Sequence, residues 1–146
     1  GIDEGATLVT GGLGRPDGLE RGYYIRPTIF ADTVPDMTIV KEEIFGPVLV
    51  IQGYKDLEDA ISLATDTPYG LAAYIQGSNP DELLAVAKQI RAGQVFLNGN
   101  GLDLNYLYAP FGGFKASGNG REWGEAGLEA FLEPKALIGY KKIINS

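Results

Sequence analysis

The 146-residue chain contains no cysteine and no histidine. The first absence removes disulfides, thiolate catalysis and sulfur-ligated metal sites. The second removes the commonest general base and the commonest metal ligand, so a Ser-His-Asp triad cannot be assembled within the chain. Positive charge is scarce: 12 Lys and Arg stand against 19 Asp and Glu, for a net charge of -7 and a pI near 4.5. That balance favours solubility and opposes nucleic acid or an anionic membrane as the main partner. Apolar runs are short as well, far below the roughly 20 residues that cross a bilayer, so no membrane span is expected.

What is present reads as globular. Hydrophobic residues make up 45% and charged residues 21%, with a mean hydropathy of -0.03, values that argue against wholesale disorder. The length suits one domain with a core of its own. The chain opens "GIDEGATLVTGG" without an initiator methionine and without a signal-peptide pattern. The expectation is a piece of a longer polypeptide whose N-terminus lies elsewhere, in a cytoplasmic protein.

Periodicity predicts an α/β architecture. "ATLVT" (6–10) reads as a strand closed by a glycine-rich loop from Gly11 to Gly22. "YYIRPTIFA" (23–31) alternates, but Pro27 in its middle demotes it to an edge strand or two short pieces. "MTIVKEEIFGP" reads as a connector, and Val48 to Ile51 as an apolar strand after the Gly46-Pro47 turn. Leu57, Ala60, Ile61 and Ala64 predict a helix over 57–65 behind Asp56 as N-cap. Leu83, Val86, Ala87 and Ile90 predict a second over 80–91, with Asn79 as cap, Pro80 at its first position and Gly93 as a left-handed terminator. Strands are expected at "LAAYIQ" (71–76) and "QVFLN" (94–98), so the order from Val48 to Asn98 is strand, helix, strand, helix, strand. Crossovers of that length imply parallel strands with helices packed on the sheet. The stretch from Asn98 to Gly127 reads as a long shaped loop, followed by a short helix near 122–131 and a last strand, "ALIGY" (136–140).

Several motifs fail as chemistry. "GLGRPDG" (12–18) and "GNGREWG" (118–124) are spaced G-x-G-x-x-x-G, and neither carries the Gly-Lys-Ser/Thr of a phosphate loop, so both read as turns. Ser117 lacks the G-x-S-x-G elbow, which leaves only a weak Ser-Lys pairing with Lys115. In "PFGGFKASG" (110–118), Phe111 and Phe114 flank a Gly-Gly pair; Phe111 can line an apolar tunnel, or both rings can plug the core. In "KEEIFGPVLV" (41–50), Glu43 can grip a vicinal diol through two acceptor oxygens while Phe45 walls a flat heterocycle. The competing reading is a pair of solvated acids at the entrance to a strand.

Taken in order, "GYYIRPTIFADTVPDMTIVKEEIFGP", "YGLAAYI" (69–75) and "PFGGFKASGNGREWGEAGLEAF" (110–131) resemble the C-terminal part of the NAD(P)-dependent aldehyde dehydrogenase superfamily, over essentially the whole chain. The resemblance implies part of that family's α/β catalytic domain over 1–131 and a tail over 132–146 carrying an oligomerisation strand. It implies that Glu43 binds the nicotinamide ribose hydroxyls of NAD or NADP and that Phe45 packs beside the nicotinamide. Phe111 then sits at the aldehyde tunnel, with Gly99 to Ala109 setting substrate preference. The small-molecule substrate would be an aldehyde and the full-length protein a homo-oligomer, dimer or tetramer. The family's nucleophilic cysteine, general-base glutamate and Rossmann-like cofactor domain would lie upstream. The piece alone is therefore expected to be inactive; a non-catalytic α/β association module is the alternative.

Overall fold

The computed structural model describes residues 1–99 and 104–139. Two small sheets organise them. In the first, β1 (Thr7–Thr10) runs antiparallel to β2 (Thr28–Ala31), which pairs in parallel with β3 (Val48–Val50). β2 begins only after Pro27, and the Thr28 N–H donates to the Pro47 carbonyl at 2.9 Å. Residues 23–27 form no strand: proline has no N–H to give a ladder, so the alternating "YYIR" cannot continue into a central strand. Thr28, 6% exposed, also holds the glycine-rich loop, its Oγ1 accepting from the Gly12 N–H at 3.0 Å and donating to the Arg26 carbonyl at 2.9 Å.

In the second sheet, β4 (Ala72–Ile75) pairs in parallel with β5 (Gln94–Leu97) from Ala72↔Gln94 to Ile75↔Leu97. The crossover between them is α3 (Pro80–Ala87), capped by Asn79 Oδ1, which accepts from the Asp81 and Glu82 N–H groups at 3.0 and 3.4 Å. Leu83 and Val86 bury its apolar stripe at 6% and 8% exposure. α2 (Leu57–Thr65) begins as expected behind Asp56, whose Oδ1 accepts from the Asp59 N–H at 2.9 Å. The expected parallel pairing across a helical crossover thus holds for β4 and β5 but not for β3 and β4, because β3 pairs with β2 in the other sheet.

Gly93 also differs from expectation. α3 stops at Ala87, and Gly93 does not adopt the left-handed conformation of a helix terminator. A Cβ there would lie 1.6 Å from the Gly112 carbonyl oxygen, so glycine is required because another backbone passes over it. The chain in question is the long loop, which has more structure than its composition suggests. It contains 3-10 helices at Leu104–Tyr108 and Lys115–Ser117, a bridge between Phe111 and Glu122, and then α4 (Gly124–Glu129). A further short helix, α1 (Thr38–Lys41), interrupts the expected connector; the Glu4 carboxylate accepts from its Thr38 N–H at 3.0 Å and Oγ1 at 2.7 Å. The expected last strand does not form over 136–139, where Leu137 and Ile138 are 87% and 96% exposed and no strand lies opposite; Tyr140 lies outside the described residues.

The expected core is thin. Among the described residues, only Ala6, Met37, Leu83 and Val86 are buried apolar side chains. The chain exposes 11574 Å², whereas a compact monomer of this mass exposes about 7,200 Å². Extended apolar faces are left open, including Tyr74 at 57% and Phe131 at 87%.

Two stability outcomes follow from these contacts. Gly93→Ala drives a methyl group into the Gly112 carbonyl and is expected to cost about 3 kcal/mol, against about 1 kcal/mol for loss of the Asn79 cap in Asn79→Ala; urea unfolding monitored by circular dichroism ranks the two. The Thr38 hydrogen bonds hold the Glu4 carboxyl below its ordinary range. Their contribution is present above the ordinary glutamate range and is lost as pH falls through the lowered folded-state value. Acid unfolding of Glu4→Gln is therefore expected to lack this acid-side component, and superimposable acid limbs would show that the contact is not made.

Candidate functional site

Three segments converge on one turn. α1 ends at Lys41, whose ammonium forms an ion pair with the Asp66 carboxylate and donates to the Asp66 carbonyl at 3.2 Å. Lys115 donates through Nζ to the Thr65 and Thr67 carbonyls at 2.7 and 3.0 Å. These are the last carbonyls of α2 and its exit, the groups a cation at a helix C-terminus satisfies best. Lys115 reaches them from a left-handed backbone at φ 54°, and the loop behind it adds three further bonds. The Ala116 N–H donates to Pro68 at 2.9 Å and the Phe114 N–H to Gly70 at 2.8 Å, while Ser117 Oγ accepts from the Gly70 N–H at 3.0 Å.

Glu43 and Phe45 lie just beyond Lys41 and share a cleft of about 550 Å³, also lined by Tyr69, Gly70 and Ser117. Phe45 is 95% exposed, its ring committed to no core. Glu43 is exposed and enters no ion pair among the described residues, so its two oxygens remain available as acceptors. Glu42 lines the same cleft, so exposure does not separate the two acids. What differs is the backbone: the Glu42 N–H closes α1 on the Thr38 carbonyl at 2.8 Å, and Glu43 is the first residue beyond it.

Phe111 is not in that cleft. Half-buried, it packs against Trp123 at 4.7 Å between ring centroids and lines a neighbouring cavity of about 770 Å³. The two cavities share Leu71 and Ser117 as a common wall. Phe114 is the plug: the Arg91 and Arg121 guanidiniums each lie 5.3 Å from its ring centroid. Among the described residues no cluster of three Asp or Glu side chains is placed to hold a metal ion.

The aldehyde dehydrogenase family pattern matches residues 1–137. The chain belongs to that family. It is 55% identical to a 3-succinoylsemialdehyde-pyridine dehydrogenase of a Pseudomonas species, over 97% of this chain and 29% of that protein. Among solved structures it is similar to aldehyde dehydrogenase C of Pseudomonas syringae, a cysteine-to-alanine variant with NAD+ and octanal, at 50% identity and a TM-score of 0.86, covering 91% of this chain and 27% of that one. A Mycobacterium tuberculosis aldehyde dehydrogenase with NAD+ superimposes with a TM-score of 0.87 at 46% identity, over 97% of this chain and 29% of that one. The chain thus spans under a third of the length of these relatives.

In this aldehyde dehydrogenase chain, the Ser117–Lys115 pairing has no chemistry to offer. The Lys115 ammonium is occupied by the Thr65 and Thr67 carbonyls and Ser117 Oγ by a backbone N–H, so neither activates the other. The glycine clusters are turns, as expected, with Gly12, Gly14, Gly18 and Gly118 at positive φ. Lys41 and Asp66 escaped the sequence reading because a pair 25 residues apart leaves no local pattern. A serine-directed fluorophosphonate is expected to leave Ser117 unlabelled, whereas Ser117→Ala strands the Gly70 N–H at a cost of about 1–2 kcal/mol in thermal unfolding.

Proposed function

We propose that the chain is the C-terminal part of an NAD(P)-dependent aldehyde dehydrogenase that oxidises a small-molecule aldehyde to the carboxylic acid. The observation that carries this is the cleft: in a member of this family, an uncommitted carboxylate and a 95% exposed ring stand two residues apart on one wall. Those residues fit the nicotinamide end of a dinucleotide. Glu43 accepts from the two ribose hydroxyls, and Phe45 lies against the nicotinamide and fixes its orientation. When bound, the cofactor supplies the hydride acceptor of the oxidation. Phe111 and Trp123, in the adjoining cavity, form apolar wall for the aldehyde. NAD+ in the solved relatives supports the cofactor class, and octanal in one of them supports an apolar aldehyde path.

The chain lacks the nucleophile. With no cysteine among its 146 residues, the thiolate that attacks the aldehyde comes from the upstream part of the enzyme, as do the general-base glutamate and the cofactor domain. The open apolar surface fits that arrangement, since it is what a domain shows when its neighbours are removed. Residues 1–131 belong in this reading to the catalytic domain. The tail over 132–146 pairs with another subunit of a homo-oligomer, with exposed Leu137 and Ile138 in support. Among the described residues no helix is long and apolar enough to cross a membrane, and a cytoplasmic location completes the proposal.

In the full-length enzyme, Glu43→Gln is expected to raise the KM for NAD(P)+ about tenfold, the worth of hydrogen bonds to a charged acceptor. Initial rates across cofactor concentrations that match the wild type would remove Glu43 from this role. Aldehyde-dependent NAD(P)H formation by the isolated 146 residues would overturn the assignment of the nucleophile to the upstream part.

A further inference from the structure

We infer that Lys41 and Asp66 are positioning residues for Glu43 and Phe45, a step that rests on the proposed role of Glu43. α1 is only four residues long, too short to hold its own end in place. Beyond it, no backbone N–H from Glu43 to Gly46 reaches a backbone carbonyl among the described residues. The segment that presents the carboxylate and the ring is therefore held at its ends. At the far end, the Pro47 carbonyl accepts from the Thr28 N–H at 2.9 Å, in the central strand of the first sheet. At the near end, the Lys41 ammonium is fixed on the carboxylate and carbonyl of Asp66.

Asp66 is a firm anchor. It is the C-cap of the nine-residue α2, and its N–H bonds to the Ser62 and Leu63 carbonyls at 3.0 and 3.3 Å. Lys115 braces the carbonyls on either side of it from the loop that carries Phe111. One turn, 65–67, thereby ties the Glu43 segment of the cleft lining to the segment that carries Ser117. The side chains are 32% and 61% exposed, so the pair is worth little to overall stability. Its consequence is local: removing it frees residues 42–46 and leaves the caps of α2 and α3 in place.

The test uses the full-length enzyme and NAD+ titrated calorimetrically without aldehyde. Lys41→Met and Asp66→Asn are each expected to raise the Kd for NAD+ about threefold, the range of an exposed ion pair. The double variant is expected to be no worse than either single one. Lys41→Arg keeps the charge and is expected to restore wild-type affinity. Without cofactor, cleavage after Glu43 by a glutamyl endopeptidase is expected to quicken in Lys41→Met, at an unchanged melting temperature. An unchanged Kd in Lys41→Met overturns the inference, as does a lowered melting temperature with no faster cleavage or a doubly additive loss in the double variant. Glu43→Gln separates the two ideas: if it weakens NAD+ binding while Lys41→Met does not, only the positioning role falls. If Glu43→Gln binds NAD+ as tightly as the wild type, the reading of the cleft itself falls.

Discussion

The turn from Thr65 to Gly70 is the contact on which the rest of the arrangement depends. It accepts two bonds from Lys115 and one each from the Ala116 and Phe114 N–H groups, and returns one from Gly70 to Ser117. Each bond is modest alone, about 1 kcal/mol net, but they share one rigid stretch between a helix end and the start of β4. That density lets a loop rich in glycine hold a defined course over β4 and β5. It also leaves the two cavities with a common wall at Leu71 and Ser117. Without that anchorage, neither cavity would have a fixed shape.

Glycine plays its part by absence of a side chain. The loop crosses so close to the sheet that a Cβ on Gly93 would meet the Gly112 carbonyl, and one on Gly70 would lie 3.2 Å from the Phe114 Cβ. The Arg91 and Arg121 guanidiniums each lie 5.3 Å from the Phe114 ring centroid and add cation–π attraction at that crossing.

Much of the architecture was legible residue by residue. Asp56 and Asn79 marked both helix starts because capping is a local matter of one side-chain oxygen and the next turn of N–H groups. The strands β4 and β5 followed from apolar runs bounded by turns. α1 leaves no sequence signal because four residues carry too little period to detect, and α3 ends four residues before the pattern predicts because Ile90 continues its stripe beyond the helix. Gly93 serves a backbone crossing and not a helix end: its partner, Gly112, is 19 positions away, and no pattern near Gly93 encodes that crossing.

The sequence by itself determined the chemistry that this chain cannot perform, since residues that are missing from a list are missing from any fold made of it. It also determined the family, through motifs whose order is read along the chain, and it marked Glu43, Phe45 and Phe111 as the residues of interest. Only the tertiary structure decided their grouping: Glu43 and Phe45 in one cleft, Phe111 in the next, with Ser117 and Leu71 between. It alone showed Lys41 on Asp66 and Lys115 on the end of α2. Such contacts join residues 25 to 50 positions apart, and their geometry depends on where two helices and a loop come to rest, which local patterns do not specify.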